Sequence, residues 1–284
     1  MPAPLTILMD NGSLEPAATL GLRRLAAQLG ERVGTRVEPV SLLHSSTVPV
    51  EKLGGTPAEI LEPALERRLA AGQTDFLIVP LFFGPSGALT DYLPKRIAHL
   101  RGKHPTLDVR LAAPLFAAGD DRLARILADQ VRDVGARLVR ARQGVDEPRP
   151  YHNFRVALVD HGSPAKAVTD VRNELSCQLA GLLGPDYTVA PASMERREGA
   201  AYDFCEPLLE RLLRSPGWNA GEIVVAMQFL LPGRHAGPDG DVAEICLAAE
   251  AASGGTLRTT MTGLVAEHPL LVEILADRWR AAMA

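Results

Sequence analysis

The chain has 284 residues, 46% of them hydrophobic and 23% charged, a globular balance. Aromatics reach only 5%, so Leu, Val, Ile and Ala must build the core. A net charge of −4 excludes the broad basic face that nucleic acid or an anionic membrane surface requires, so neither is expected as a partner. The opening Met1-Pro2-Ala3-Pro4 has no basic segment before a long apolar one, and the longest apolar runs, 76–83 and 223–231, are too short to span a bilayer, so a cytoplasmic location is expected.

In chain order, residues 5–11 read as a strand, 14–32 as a helix with Leu20, Leu25 and Leu29 at helical spacing, 36–43 as a strand and 58–71 as a helix. Residues 75–83 form a nearly continuous apolar strand, as expected where helices cover both faces of a parallel sheet. A helix at 91–101, a strand at 108–115 and a long helix at 121–142 complete the first half. The second half repeats the order: strand 155–161, helix 166–183, strand 188–194, helix 202–213, strand 222–231, helix 241–251, strand 256–264 and helix 269–282.

Local motifs support a duplication. Leu8-Met9-Asp10-Asn11-Gly12-Ser13 matches Leu158-Val159-Asp160-His161-Gly162-Ser163, and Val79–Pro85 echoes Ala226–Pro232. The hydrophilic stretch 140–150 reads as a linker, giving lobes at 1–143 and 151–284. Alternating strands and helices predict α/β lobes with parallel sheets and right-handed crossovers, whose ligands bind beyond the carboxyl ends of the strands. Cys177, Cys205 and Cys246 form no C-x-x-C pair and read as buried thiols in a reducing compartment.

At three consecutive strand ends of the second half stand His161, Glu195 and His235. Taken singly, each is an ordinary polar rim residue, and Glu195 with Arg196 and Arg197 an ordinary solvated charge cluster. Together they place two imidazoles and a carboxylate on one rim. That donor set suits a borderline divalent metal with open coordination positions, and neutral imidazole also accepts protons.

These residues resemble the sirohydrochlorin chelatases, the CbiX-type class II tetrapyrrole chelatases. The resemblance rests on Asp160-His161-Gly162-Ser163, Met194-Glu195, Pro232-Gly233-Arg234-His235 with Asp241, and the tail Gly263–Leu270, and it covers both halves. It implies two flavodoxin-like three-layer lobes facing a cleft, His161 and His235 as metal ligands, and Glu195 assisting coordination or proton removal. The implied activity is that of a lyase inserting cobalt, iron or nickel into sirohydrochlorin in cobalamin or siroheme biosynthesis. The metal is a substrate and no organic cofactor is expected. Arg196, Arg197 and Arg234 either pair with the carboxylates of the tetrapyrrole or are plain surface charges.

Two departures stand out. Residues 236–240 lengthen the turn between His235 and Asp241. The first half has lost the set, with Asn11 in place of the first histidine, His44 where Glu195 stands and Ala88 where His235 falls; His44 reads as a surface histidine. A non-catalytic carrier of metal or tetrapyrrole would use the same ligands. A metallohydrolase is disfavoured by the lack of H-E-x-x-H, dinucleotide binding by the lack of G-x-G-x-x-G, and a Ser163 nucleophile by the lack of a G-x-S-x-G elbow, Ser163 reading instead as a cap of the next helix. Monomer and homodimer both fit.

Overall fold

The computed structural model describes residues 3–142 and 154–284; the boundary between the expected lobes and most of the expected linker 140–150 lie outside them. Eight strands form two parallel sheets. The first holds β1 (Leu5–Asp10), β2 (Val37–Ser41), β3 (Asp75–Pro80) and β4 (Asp108–Leu111) in the order β2-β1-β3-β4. The second holds β5 (Phe154–Asp160), β6 (Tyr187–Ser193), β7 (Gly221–Met227) and β8 (Leu257–Met261) in the order β6-β5-β7-β8. The registers match as well: Asp10 lies opposite Ser41 and Asp160 opposite Ser193.

The helices are α1 (Pro16–Val33), α2 (Leu61–Ala70), α3 (Leu93–Lys103), α4 (Arg122–Arg142), α5 (Lys166–Leu183), α6 (Leu209–Leu212), α7 (Asp241–Ala252) and α8 (Leu270–Met283). They cover both faces of each sheet, which is why the central strands are apolar without alternation. In β1 and β3, Ile7, Met9, Phe76 and Ile78 join Leu61, Leu65, Leu93 and Ile97 of α2 and α3 in one core, while Leu8, Leu77 and Val79 are equally buried and point the other way.

Two helices change places. The sequence leads to lobes 1–143 and 151–284, but the compact units are cut differently. One takes in the chain up to Ala118 with Leu230–Arg234 and Pro269–Ala284, the other Gly119–Phe229 with His235–His268. Thus α4 packs on α5 and β7, with Ile126, Leu127, Val131 and Val134 buried and Gln130 Nε2 donating to Leu264 O at 2.9 Å. Conversely, α8 packs on α1 and β3, where Trp279 Nε1 donates to Thr6 Oγ1 at 3.0 Å and Arg278 donates to Pro114 O and Leu115 O at 3.0 and 2.8 Å. Periodicity shows that a helix has an apolar face; it does not show which sheet that face covers.

The strands expected at 108–115, 222–231 and 256–264 end earlier, at Leu111, Met227 and Met261, and the helix expected at 202–213 is broken. Residues Ala200–Cys205 form a 3₁₀ segment, and only Leu209–Leu212 are α-helical. Pro207 interrupts the run because it has no N–H to donate, and its carbonyl accepts from Ser193 N instead, at 3.0 Å. Of the cysteines, Cys205 and Cys246 are buried, with the Cys246 thiol pushed up to about 11 by burial, whereas Cys177 is exposed. Among the described residues no helix is long and apolar enough to cross a membrane.

Candidate metal centre at the strand ends

In the second unit the chain leaves β5 at Asp160 and turns sharply through His161-Gly162-Ser163. Gly162 has φ +90°, a conformation that L side chains rarely adopt, and a Cβ there would lie 1.9 Å from Glu195 O. The glycine therefore lets this turn lie directly against the segment that leaves β6. Met194 N donates to Asp160 O at 2.8 Å and Glu195 N to His161 O at 3.2 Å, which brings the two side chains together: His161 Nε2 stands 3.6 Å from Glu195 Oε1. His235 arrives from the long loop between β7 and α7, held by its carbonyl to Val242 N at 3.3 Å. Its ring stands edge-on to that of His161, centroids 4.6 Å apart.

The hydrogen bonds select the tautomers. His161 Nδ1 lies 2.9 Å from Gly162 O, and a carbonyl only accepts, so Nδ1 carries the hydrogen. His235 Nδ1 lies 2.5 Å from Asp241 Oδ2, which accepts likewise. Each neutral ring therefore presents a lone pair at Nε2, the arrangement by which a carboxylate or carbonyl orients a metal-binding histidine. The side chains of His161, Glu195 and His235 remain 46, 60 and 32% exposed, so an arriving ion or ring can reach them. Among the described residues no set of three or more His, Cys, Asp and Glu side chains closes around one point, so this is an open pair of imidazoles with a carboxylate beside one of them rather than a closed cage.

Across the whole chain, the architecture is similar to solved chelatase structures. SirB from Bacillus subtilis with Fe3+ is 17% identical at a TM-score of 0.69, with 99% of this chain and 96% of that one covered. SirB from Bacillus subtilis subspecies spizizenii in complex with cobalt is 15% identical at 0.67, covering 99% and 95%. CbiX, the terminal enzyme for biosynthesis of siroheme in denitrifying bacteria, is 18% identical at 0.57, covering 99% and 100%. The fold is that of the CbiX-type chelatases. No family model matches the chain, nor does any curated protein sequence.

Within this chelatase fold the first unit repeats the turn without the histidine and the carboxylate. Gly12 also has φ +90° and crowds Leu43 O, and Leu42 N and Leu43 N donate to Asp10 O and Asn11 O at 2.8 and 3.2 Å. Leu43, not His44, is therefore the counterpart of Glu195; the sequence spacing is off by one residue. His44 is exposed at φ +66°, and Ala88 opens a turn of π-helix before α3.

The three arginines part company. Arg196 is largely covered and bonded to Asp203 at 3.0 Å, Glu206 at 2.8 Å and Gly199 O at 3.1 Å, so it holds its own loop together. Arg197 is exposed and lies 6.0 Å from the centre of the Tyr202 ring, and Arg234 is exposed. Ser163 Oγ accepts from Ala165 N at 3.1 Å and orders the approach to α5, whose capping position is held by Ala165.

Asp241 and Asp160 enter the sequence analysis only as parts of motifs, and Ser193 and Arg172 not at all, yet all four lie around the two histidines. In the sequence Asp241 marks the start of a helix, and a carboxylate six residues after His235 is the usable signal for its hydrogen bond to that ring. Behind His161 lies a buried group: Asp160, with its carboxyl pushed up by burial against the opposing Ser193 hydrogen bond and Arg172 charge; Ser193; and Arg172, with its guanidinium pushed down by burial. Arg172 interrupts the apolar stripe of Leu175, Leu179 and Leu183, and an arginine in that position was the available clue.

Proposed function

We propose that the chain inserts a divalent metal, cobalt or iron, into sirohydrochlorin, with His161 and His235 as metal ligands and Glu195 as the proton acceptor. The observation that carries this reading is the contact of His161 with both partners, 3.6 Å to Glu195 and 4.6 Å between imidazole centroids, on rings whose Nε2 atoms bear the lone pairs. A lone pair facing a carboxylate at that distance is repulsive unless a cation lies between or beside them. The pair is thus suited to hold either a metal ion or a proton, and metal insertion exchanges the two. The ion leaves the imidazoles for the ring nitrogens while two pyrrole N–H protons depart, the first onto the Glu195 carboxylate and the second onto the His161 Nε2 that the metal has vacated, from which both pass to water. Such base assistance is typically worth about 10²–10⁴-fold in rate.

The solved neighbours holding Fe3+ and cobalt support the choice of metals. Arg197 is the cation proposed to meet a peripheral carboxylate of the tetrapyrrole, whereas Arg196 is committed to Asp203 and Glu206.

The test is an insertion assay with purified protein, sirohydrochlorin and Co2+ or Fe2+, followed by the absorbance of the ring. His161→Ala and His235→Ala are each expected to lower the rate at least about 100-fold, the scale of lost ligation plus lost base assistance. Full activity in both variants overturns the reading. Product that stops at one equivalent per chain indicates a carrier instead of an enzyme.

A further inference from the structure

The buried group behind His161 has no part in the proposed chemistry, and it contains a guanidinium only 1% exposed. Enclosing such a charge is costly, and Arg172 offsets the cost with directed hydrogen bonds and with an ion pair to Asp160 Oδ1 at 3.8 Å. Its Nη1 donates to Ser193 Oγ at 2.5 Å and to Cys205 O at 2.9 Å, and its Nε and Nη2 donate to Asn173 Oδ1 at 3.1 and 2.9 Å. With its oxygen thus occupied, the Ser193 hydroxyl points its proton at Asp160 Oδ1, 2.6 Å away, and the same carboxylate oxygen accepts from Gly162 N at 3.2 Å. Asp160 and Gly162 flank His161 on either side. The order of bonds is therefore guanidinium, hydroxyl, carboxylate, backbone of the ligand turn.

The first unit serves as an internal comparison, because it keeps Asp10, Ser41 and the glycine turn. There the position of Arg172 is filled by Leu22 and Ser41 Oγ takes its hydrogen bond from Ser45 at 2.8 Å, while each unit leaves one buried carboxylate oxygen without a hydrogen-bond partner, Asp10 Oδ1 and Asp160 Oδ2. That unit carries Asn11 in place of the histidine. The fold thus forms the turn without the arginine, and the half that presents an imidazole is the half that has one.

We infer that Arg172 is a positioning residue for His161, fixing the 160–163 turn through Ser193 and Asp160 so that Nε2 meets the incoming metal. The inference rests on His161 being a metal ligand, and the experiment separates the two claims. Co2+ binding without tetrapyrrole is followed by the visible ligand-field spectrum, alongside insertion kinetics, for the natural chain, His161→Ala, His235→Ala, Arg172→Leu, Arg172→Lys, Ser193→Ala and the double variant His161→Ala/Ser193→Ala. Arg172→Leu and Ser193→Ala are expected to weaken Co2+ binding about 10-fold or more, the usual effect of losing an outer partner of a ligand. Their spectra should move toward that of His161→Ala, and KM should rise for the metal but not for the tetrapyrrole. Arg172→Lys should recover part of the loss. The double variant should bind no worse than His161→Ala alone, because both changes act on one ligand.

Ser193→Ala keeps both buried charges, so it carries the test if Arg172→Leu fails to fold. Natural Co2+ binding in Ser193→Ala beside a defective His161→Ala overturns the positioning role and leaves the metal site standing, as do losses that simply add in the double variant. Natural binding and insertion in both His161→Ala and His235→Ala overturn the metal site and this inference with it.

Discussion

At the residue scale, the site depends on which nitrogen of each ring is occupied. Asp241 fixes His235 through a 2.5 Å bond to Nδ1. Asp241→Asn puts an amide in its place and removes the charge that makes Nε2 a better donor, so metal affinity is expected to fall about 10- to 100-fold, measured by Co2+ titration. Unchanged affinity would mean that the ring is held by packing. Asp10 gives a second prediction, on stability. Burial pushes its carboxyl from 3.8 up to about 6. The folded chain thus favours the protonated acid, so this contribution to stability is fully present below about pH 4 and is lost as pH rises through about 6. The loss at pH 8 is at most about 3 kcal/mol by the usual conversion of a pKa shift. Asp10→Asn keeps the shape without the charge. Its denaturation midpoint should exceed that of the natural chain at pH 8 and approach it at pH 4; an equal difference at both pH values would rule out ionisation as the cause.

At the element scale, the turn after each first strand is the device that makes a rim. Gly162 and Gly12 meet the neighbouring carbonyls, Glu195 O and Leu43 O, at distances no Cβ tolerates. Gly162→Ala forces the 161–163 turn away from Glu195 and adds left-handed strain, costing at least about 2 kcal/mol. It should lower Tm and abolish metal binding together. A Gly162→Ala chain that melts normally and binds Co2+ normally would show that the close approach is dispensable. The same scale explains why residues 200–213 break into short turns: Pro207 stops the helix that their apolar spacing suggests, and Cys205, Arg196 and Glu206 use the irregular backbone to tie the loop down.

At the scale of the whole molecule, each sheet is finished by a helix from the other half of the sequence. The segment 151–284 expressed alone lacks α4, leaving bare the apolar surface that Ile126, Leu127, Val131 and Val134 cover. The segment 1–143 alone lacks α8, and with it Trp279, Arg278 and the bidentate Arg32–Glu273 pair at 2.7 and 2.8 Å. Neither segment is expected to give a cooperative melt by circular dichroism, whereas the two co-expressed should recover one. Independent, cooperative folding of either segment would contradict the exchange of helices.

The sequence by itself determined the alternation of strands and helices, the parallel sheets, the duplication and the placement of His161 and Glu195 just beyond β5 and β6, whereas His235 lies on a loop well past the end of β7. Apolar periodicity and chain order are local properties, and a parallel α/β sheet converts them directly into a rim. Only the tertiary structure decided the rest: that His161 and Glu195 touch, that Asp241 and the Gly162 carbonyl choose the tautomers, that Leu43 rather than His44 faces the first copy of the turn, and that α4 and α8 trade sheets. Each of these follows from a contact between segments distant in sequence or from the backbone path of a loop. A one-residue shift in a loop, invisible in composition and spacing, decides which side chain faces the site.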